Sequence, residues 1–390
     1  MRYMKIHEKN KGKLKLLTIV GTRPEIIRLS EVIKLCDIYF DQYFCHTGQN
    51  YDKELYDFFI EGLGLRQPDY YLSAVGENLG HTVGNIIAKS YDLMVELNPD
   101  AVLVLGDTNS CLAAIPAKRL HIPVFHMEAG NRCGDLMLPE EINRHIVDVT
   151  ADVNMCYSEH ARRYLLSEGM PAKQTYVTGS PMAEVLAANL EKIQASKILE
   201  ELGLEEKKYM LLSAHREENI DSEKSFYELF NAINALAEKY QMPILYSCHP
   251  RSKKFIEQRG FKLHPLVIQH KPLGFHDYNN LQMNAFAVIS DSGTLPEESS
   301  FFTSVGKPFP AICVRTSTER PEALDKGCFV LAGITEKEVL QAVDVAVEMV
   351  KNGHNGIPVP DYVDTNVSAK VVKIIQSYVG IVNRMTWRKY

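Results

Sequence analysis

The chain of 390 residues exceeds the size at which a single hydrophobic core usually stops growing, so we expect two domains. With 45% hydrophobic and 24% charged residues it has the composition of an ordinary globular protein, which argues against long disordered segments. Its net charge of -6 and the lack of a long uninterrupted apolar stretch argue against a nucleic-acid-binding protein and a membrane-spanning one.

The basic start of the chain, MRYMKIHEKNKGK, leads straight into an apolar strand and contains no small-residue cleavage site, so we predict a short extension and not a signal peptide. The eight cysteines show neither a CxxC motif nor a paired Cys/His spacing typical of zinc. We therefore expect no metal site, core positions for most cysteines, and a cytoplasmic protein.

Short apolar, β-rich runs alternate with helical patterns through the first half. Helices are predicted from Glu25, over residues 81–96 and 113–119, and after Pro139. Continuous apolar strands separated by helices indicate a parallel sheet that is covered on both faces. The predicted strands are LKLLTIV, QYFCHTG, AVLVLGD, IPVFHME, DVNMCYS and TYVTGSP.

The second half repeats this rhythm, so the predicted fold is α/β, with two Rossmann-like, doubly wound parallel-sheet domains facing a cleft. We assign residues 1–183 to an N-terminal domain that carries the acidic motifs and residues 184–365 to a second domain. Residues 366–390, with a helix over 368–378, would return to the first domain. The strands of the second half are YMLLSAH, PILYSCHP, HPLVIQ, AFAVISDSG, AICVRT and CFVLAG.

The stretch HMEAGNRCGDLMLPEEINR, residues 126–144, crowds carboxylates and guanidiniums into one connection. Glu128 and Glu140 would lie on a loop at the carboxyl end of a strand, where open α/β sheets bind ligands. In the alternative interpretation, Glu140 and Glu141 complement a helix dipole and Arg144 pairs with Glu140. Asp135 and Glu141 are expected to be structural.

Other candidate residues follow neighbouring strands. Asp107, in GDTNS, either joins the acidic site or caps the next helix, and the residues alone slightly favour the cap. Arg23 and Arg28, in and after GTRPE, could bind an anion at a helix start. His215, in SAHREEN, suits phosphate binding or acid/base chemistry, although a structural role stays open.

In SDSGTLPEE, Ser292 and Gly293 offer a phosphate-accepting turn, and Glu298 could take a ribose diol one helical turn later, with Arg320 near the same edge. Together the motifs indicate a nucleotide-diphosphate ligand between the domains, its reactive end near Asp107, Glu128 and Glu140. The chain has no GxGxxG and no Walker A motif, which disfavours a nicotinamide cofactor and phosphoryl transfer.

GTRPE, TGQ, GDT, HMEAG with PEEINR, an HRxEN-like block, HP, SDSG with EE, and TERPE occur in one order between about residues 15 and 380. In this the sequence resembles the non-hydrolysing UDP-N-acetylglucosamine 2-epimerases, enzymes of the glycosyltransferase-B-like architecture. The blocks PEEINR, GSPMAEV, KPLGFHDYNNLQMNAF and SDSGTLPEESS look more like the branch that forms UDP-N-acetyl-L-fucosamine.

The resemblance implies an isomerase that inverts C2 of a UDP-2-acetamido sugar without a cofactor, by eliminating UDP to a 2-acetamidoglycal and adding it back. It further implies a homodimer that supplies precursors for capsule, O-antigen or other surface polysaccharide. Arg144 would steer the acid/base groups, and Tyr278 would stack on uracil. The implied acid/base residues are Asp107, Glu128, Glu140 and His215, and the implied UDP-binding residues are Arg23, Arg28, Ser292, Gly293, Glu298 and Arg320.

The sequence departs from the family pattern at Asn50, Glu217 and Thr294. Some bacterial members bind substrate at an allosteric site near the first two positions. Two rival enzymes are a glycosyltransferase of the same architecture and a hydrolysing epimerase. The crowd of carboxylates in the first domain, more than a transferase needs for one base, argues against the transferase.

Overall fold

The computed structural model describes residues 10–49 and 59–389. Most of the basic extension and Asn50 of the TGQN motif lie outside these ranges. The chain forms two compact units, of which the first ends at Ala187 and resumes at Asp364, while the second is continuous over Ala188–Val363.

The sheet of the first unit is parallel throughout, with the strand order β3-β2-β1-β4-β5-β6-β7. The order reverses between β1 and β4, and open α/β sheets bind ligands at the carboxyl ends of the strands beside such a reversal. The strands are β1 (Lys15–Val20), β2 (Asp41–His46), β3 (Tyr70–Tyr71), β4 (Ala101–Leu105), β5 (Val124–Met127), β6 (Val153–Cys156) and β7 (Thr175–Val177).

Helices cover both faces of this sheet. One apolar core contains Ile26 and Leu29 against Phe125, and the other contains Ile86 and Val147 against Val102. Two short 3₁₀ helices, Asn109–Ala113 and Ala172–Gln174, complete the connections. The helices are α1 (Arg23–Tyr39), α2 (Leu79–Leu97), α3 (Ala114–Arg119), α4 (Pro139–Thr150), α5 (Glu159–Ser167) and α6 (Met182–Gln194), the last of which runs on into the second unit.

The second unit has the same topology, with parallel strands in the order β10-β9-β8-β11-β12-β13 and a reversal between β8 and β11. Its strands are β8 (Met210–Ser213), β9 (Ile244–Ser247), β10 (Val267–His270), β11 (Ala287–Ser290), β12 (Ala311–Cys313) and β13 (Val330–Leu331). Its helices are α7 (Ile198–Leu202), α8 (Glu217–Ile220), α9 (Glu223–Tyr240), α10 (Pro250–Gln258), α11 (Phe275–Asn284), α12 (Leu295–Ser304), α13 (Pro321–Asp325) and α14 (Glu336–Lys351), followed by a 3₁₀ helix at Pro360–Tyr362.

The last helix, α15 (Val367–Met385), belongs to the first unit and extends further than the predicted 368–378. Val371, Ile375 and Val379 lie in the same core as α1 and β1, and this apolar stripe continues to Val382. The longer stripe explains the greater length, because each further turn buries another apolar side chain.

The prediction of two doubly wound parallel α/β units is confirmed, and each predicted strand is present. The edge strand Tyr70–Tyr71 was not predicted, since two residues give no readable periodicity. Within the described ranges, every helix is too short or too polar to cross a lipid bilayer.

Candidate active site

Glu128 is the centre of the candidate site in the first unit. It follows β5 directly and is only 3% exposed. Its backbone φ is 63°, in the left-handed region that residues other than glycine rarely occupy. Such a conformation costs on the order of 1–3 kcal/mol and persists only where the surroundings enforce it. The contacts around Glu128 therefore hold its carboxylate in an orientation that the backbone alone would not favour.

Two arginines hold Glu128. Nη1 of Arg28, on α1, donates to Glu128 Oε2 over 2.6 Å. Nη1 of Arg144, on α4, donates to the backbone carbonyl of Glu128 over 2.9 Å and lies 3.7 Å from Oε1. Nη2 of Arg144 donates to Oδ2 of Asp107, which lies at the end of β4. Four residues named from the sequence thus form one charged cluster at the carboxyl ends of β4 and β5.

The turn that carries Asp107 is fixed independently of its side chain. The backbone carbonyl of Asp107 accepts a 3.0 Å hydrogen bond from Nδ2 of Asn143. The N-cap of the following 3₁₀ helix is Thr108, whose hydroxyl accepts from the N–H of Ser110 over 3.2 Å. The alternative that Asp107 caps this helix is therefore wrong, and its carboxylate is available to Arg144.

Of the remaining three acids of the loop, one is exposed and two have structural roles. Glu140 is exposed at the second position of α4. Glu141 is 3% exposed, and its carboxylate accepts from the backbone N–H groups of Cys133 over 3.3 Å and Gly134 over 3.2 Å. Oδ1 of Asp135 accepts from the N–H of Met137 over 3.0 Å. Glu141 and Asp135 therefore shape the loop.

Glu25, in the first turn of α1, is a further buried carboxyl in this unit. Its Oε2 accepts from the hydroxyl of Thr22 over 2.8 Å and from the N–H of Gly21 over 3.1 Å. Burial raises the pKa of Glu25 to about 7, against hydrogen bonds from Thr22, Gly21 and Thr108 that lower it. The side chain consequently changes its charge near neutral pH.

In the second unit, Asp291 organises the sheet edge at the strand reversal. It is fully buried, and its Oδ2 accepts from the backbone N–H groups of His215 and Arg216, each over 2.9 Å, and from Nδ2 of Asn219 over 3.2 Å. Nδ1 of His215 lies 3.4 Å from Asp291 Oδ1, and the His215 side chain is 42% exposed. Asp291 thus fixes the loop that presents His215.

The turn after β11 has the form of an anion site. The hydroxyls of Ser292 and Thr294 lie 2.9 Å apart, and a Cβ added to Gly293 would lie only 3.4 Å from Nη2 of Arg216. This guanidinium therefore lies beside the start of α12, where helix N–H groups attract phosphate oxygens. Thr294 has φ -86°, so the position does not require glycine and accommodates the departure from the family pattern.

Glu298 and Tyr278 meet in a buried polar cluster. Oε2 of Glu298 accepts from Nε2 of Gln282 over 2.8 Å. Burial and the charge of Glu298 raise the pKa of Tyr278, while hydrogen bonds with Ser213, Gln282 and Ser290 partly oppose the rise. The Tyr278 ring is half-buried with its hydroxyl in this cluster, so only part of the ring face is exposed for stacking.

The two other arginines named from the sequence have different surroundings. Arg320 is 2% exposed, and its Nε donates to Oε1 of the buried Glu297 over 3.0 Å. Arg23 is half-buried, with its guanidinium carbon 5.1 Å from the centre of the Phe59 ring. Arg320 is therefore paired with a carboxylate inside the second unit, whereas Arg23 lies at the start of α1 beside an aromatic face.

Sequence reasoning missed Glu25 and Asp291 although both lie inside motifs that it identified. Asp291 directly follows β11, and Glu25 is the acid in the first turn of the helix after β1. Position after a strand was thus the signal that could have found them. No cluster of three metal-ligating side chains is present in the described part of the chain.

Two doubly wound units, each with charged side chains at the strand reversal of its sheet, define an α/β protein built for ligands at the carboxyl ends of its strands. Comparison with known proteins specifies the family. A model of the UDP-N-acetylglucosamine 2-epimerase family matches residues 36–376. The chain therefore belongs to this family of isomerases, which confirms the resemblance seen in the sequence.

Individual relatives support the same family assignment. A UDP-N-acetylglucosamine 2-epimerase structure from Rickettsia bellii is 43% identical, with a TM-score of 0.88 over 97% of this chain and 100% of that one. A Methanocaldococcus jannaschii UDP-GlcNAc 2-epimerase, solved in complex with UDP-GlcNAc and UDP, is 29% identical, with a TM-score of 0.86 over 93% and 100%. The UDP-2,3-diacetamido-2,3-dideoxy-D-glucuronate 2-epimerase of Pseudomonas aeruginosa is 32% identical over 84% of this chain and 91% of its own.

Proposed function

We propose that this chain is a non-hydrolysing epimerase that inverts C2 of a UDP-2-acetamido-2-deoxy sugar. The observation that carries the proposal is the cluster of Asp107 and Glu128 with Arg28 and Arg144 at the carboxyl ends of β4 and β5. Its substrate would be UDP-GlcNAc or UDP-ManNAc, or a 6-deoxy relative on the route to UDP-N-acetyl-L-fucosamine. The relative solved with UDP-GlcNAc and UDP supports this substrate class.

The reaction must break a C–H bond that no neighbouring carbonyl acidifies. A carboxylate takes the proton from C2 as the C1–oxygen bond breaks, so UDP leaves with the electron pair and a C1–C2 double bond forms. An acid then returns a proton to the opposite face of C2 while a phosphate oxygen of UDP re-forms the bond to C1. Acid/base groups on two faces of the sugar are therefore required, and Asp107, Glu128, Glu140 and His215 are the candidates.

The second unit would hold UDP. The α12 start with Ser292 and Gly293 suits the diphosphate, because its N–H groups and the guanidinium of Arg216 stabilise the charge that develops on the leaving group. Glu298 would accept from the ribose diol and Tyr278 would contact uracil. Arg23 and Arg28 would add charge at the diphosphate, and Arg320 would act through Glu297 and not by direct contact.

The decisive experiment is incubation with UDP-GlcNAc in D2O, followed by NMR of the sugar. We expect deuterium at C2 and two epimers that are still joined to UDP. Glu128→Gln should abolish the exchange because it removes one of the candidate acid/base groups, while UDP binding measured by calorimetry should be largely retained. Glu140→Gln tests the exposed acid in the same way, and Glu201→Gln, a surface change in the second unit, serves as the matched control.

Other outcomes would identify a rival. Stoichiometric release of UDP with free sugar would identify a hydrolysing epimerase, and transfer to an added acceptor without C2 exchange would identify a glycosyltransferase. The sugar is resolved by a panel that contains UDP-GlcNAc, 6-deoxy-hexosamine nucleotides and a diacetamido uronate. The last is included because one relative is named for that substrate.

We also propose that the chain acts as a homodimer in the cytoplasm and supplies precursors for surface polysaccharide. Light scattering of the purified protein should give twice the chain mass of 44.1 kDa. A gene deletion should remove one amino sugar from the capsule or O-antigen, and a monomer mass or an unchanged polysaccharide would contradict these assignments.

A further inference from the structure

A buried pair behind the charged cluster has no part in the proposed chemistry. His126, on β5, and Asp148, near the end of α4, are 0% and 1% exposed. Two polar side chains so far from solvent need partners that repay their desolvation. Their partners lie on the two backbone segments that carry Asp107 and Glu128.

His126 holds the first of these segments. Its Nε2 lies 2.8 Å from the backbone carbonyl oxygen of Gly106. Because a carbonyl oxygen can only accept, Nε2 must carry a proton and donate it. Gly106 has φ 73° and directly precedes Asp107, so this bond fixes the sharp turn from which the Asp107 carboxylate projects.

Asp148 holds the second segment. Its carboxylate accepts from the N–H of Gly130, two residues after Glu128, over 3.2 Å, and contacts Nη2 of Arg132 over 2.8 Å. Burial would raise the pKa of Asp148, but the neighbouring His126 and Arg132 outweigh burial and lower it. The carboxylate is therefore ionised at neutral pH.

The two residues are also in contact. Nδ1 of His126 lies 3.0 Å from Oδ1 of Asp148, in a direction that departs from the ideal hydrogen-bond geometry of the ring. Arg144 and Asp148 lie one turn apart on α4, so one helix face carries both the guanidinium that contacts Asp107 and the carboxylate that holds His126.

We propose that His126 and Asp148 form a positioning pair for the epimerisation, an inference that rests on the proposed function. The pair locks the Gly106 turn and the Gly130 loop to each other and thereby sets the distance between the carboxylates of Asp107 and Glu128. Neither residue touches the sugar. Because misplacement of reacting groups by about 1 Å can cost on the order of 100-fold in rate, loss of the pair lowers kcat more than it changes KM.

The test uses Asp148→Asn, which keeps the shape of the side chain but removes its charge. We expect kcat for C2 exchange to fall by about 10- to 100-fold, with KM within about twofold of wild type. Glu168→Gln is the matched control, because Glu168 pairs with Arg132 over 2.6 Å but forms no hydrogen bond with Gly106, Gly130 or His126, and its kcat should stay within about twofold.

His126 supplies a second and independent test. His126→Gln places an amide N–H near the position of Nε2 and should retain more kcat than His126→Leu, which cannot donate. The His126→Leu/Asp148→Asn double variant should lose no more than the worse single variant, since both act through one pair. Circular dichroism and calorimetric UDP binding would confirm that each variant is folded.

Several results would overturn the inference. These are an Asp148→Asn kcat within about twofold of wild type, a loss confined to KM, equal activity of His126→Gln and His126→Leu, or additive losses in the double variant. A wild-type protein that exchanges C2 in no UDP-hexosamine would instead overturn the proposed function itself. The two failures are therefore distinguishable.

Discussion

At the scale of single residues, Glu128 combines a strained backbone conformation with a carboxylate that contacts two arginines. Arg28 and Arg144 approach it from two different helices, and neither contact is local in sequence. Backbone strain of this kind concentrates where a side chain must be held in one orientation. The energy stored at Glu128 is thus consistent with a base that must not reorient as the sugar ring changes shape.

Glu25 gives a pH-dependent prediction. Its pKa of about 7 in the folded state exceeds the value near 4.5 of an exposed glutamate, so the folded state binds the proton more tightly than the unfolded state. This contribution to stability is present below about pH 4.5 and is lost as pH rises to about 7. Glu25→Gln, which mimics the neutral acid, should therefore gain stability relative to wild type over this range, by roughly 3 kcal/mol in total.

Urea unfolding at a series of pH values measures the effect. The only tryptophan of the chain, Trp387, packs in the first unit, so its fluorescence reports on the unit that contains Glu25. A difference between Glu25→Gln and wild type that stays constant from pH 4.5 to 7 would contradict the assignment.

Many residues of the candidate site could be predicted from the sequence, because the end of an apolar strand can be recognised from a short stretch of residues. Asp107, Glu128 and His215 were found by their positions directly after apolar strands. The pairing of Arg28 with Glu128 spans 100 residues, and no local pattern encodes such a partner. The burial of Arg320 against Glu297 was equally invisible, because a charged residue near a strand end is expected at the surface.

At the scale of elements, the strands were predicted well because parallel strands covered on both faces are continuously apolar. The length of α15 was underestimated. Gly380, shortly after Tyr378, is a typical signal for the end of a helix, whereas the buried Val379 and Val382 continue the apolar stripe toward Met385. Tertiary packing, and not local helix propensity, determines where this helix ends.

The packing of α15 can be tested by removing one side chain. Ile375→Ala should lower the free energy of unfolding of the first unit by about 2–5 kcal/mol, because the side chain is fully buried in the core shared with α1. Gln376→Ala, on the exposed face of the same helix, should change it by less than about 0.5 kcal/mol. Urea titration followed by Trp387 fluorescence compares the two, and equal shifts would refute this role for α15.

At the scale of the whole molecule, thiol reactivity reports on the integrity of both units. Seven of the eight cysteines are buried and Cys133 is half-buried, with no disulfide among them, and all eight lie in the described ranges. Burial raises the pKa of the Cys313 thiol to about 12 and that of Cys36 further, so the reactive thiolate is scarce at these sites.

We therefore expect one thiol to react rapidly with Ellman's reagent in the native protein and all eight to react in guanidinium. Cys133→Ser should remove the fast phase, while Cys45→Ser, a buried counterpart in the same unit, should leave it intact. A second fast equivalent in wild-type protein would show that one of the units opens readily in solution.

The return of the chain to its first unit also sets the order in which the protein can be made. The second unit is one continuous segment and can finish its core before the segment that follows it has been translated. The first unit cannot, because Val367 to Val382 supply part of its interior and are synthesised after the second unit. A nascent chain that stalls before residue 367 would therefore expose an apolar face beside β1 and α1. Chaperones and quality-control proteases would then recognise the first unit, although most of its residues are synthesised before those of the second unit.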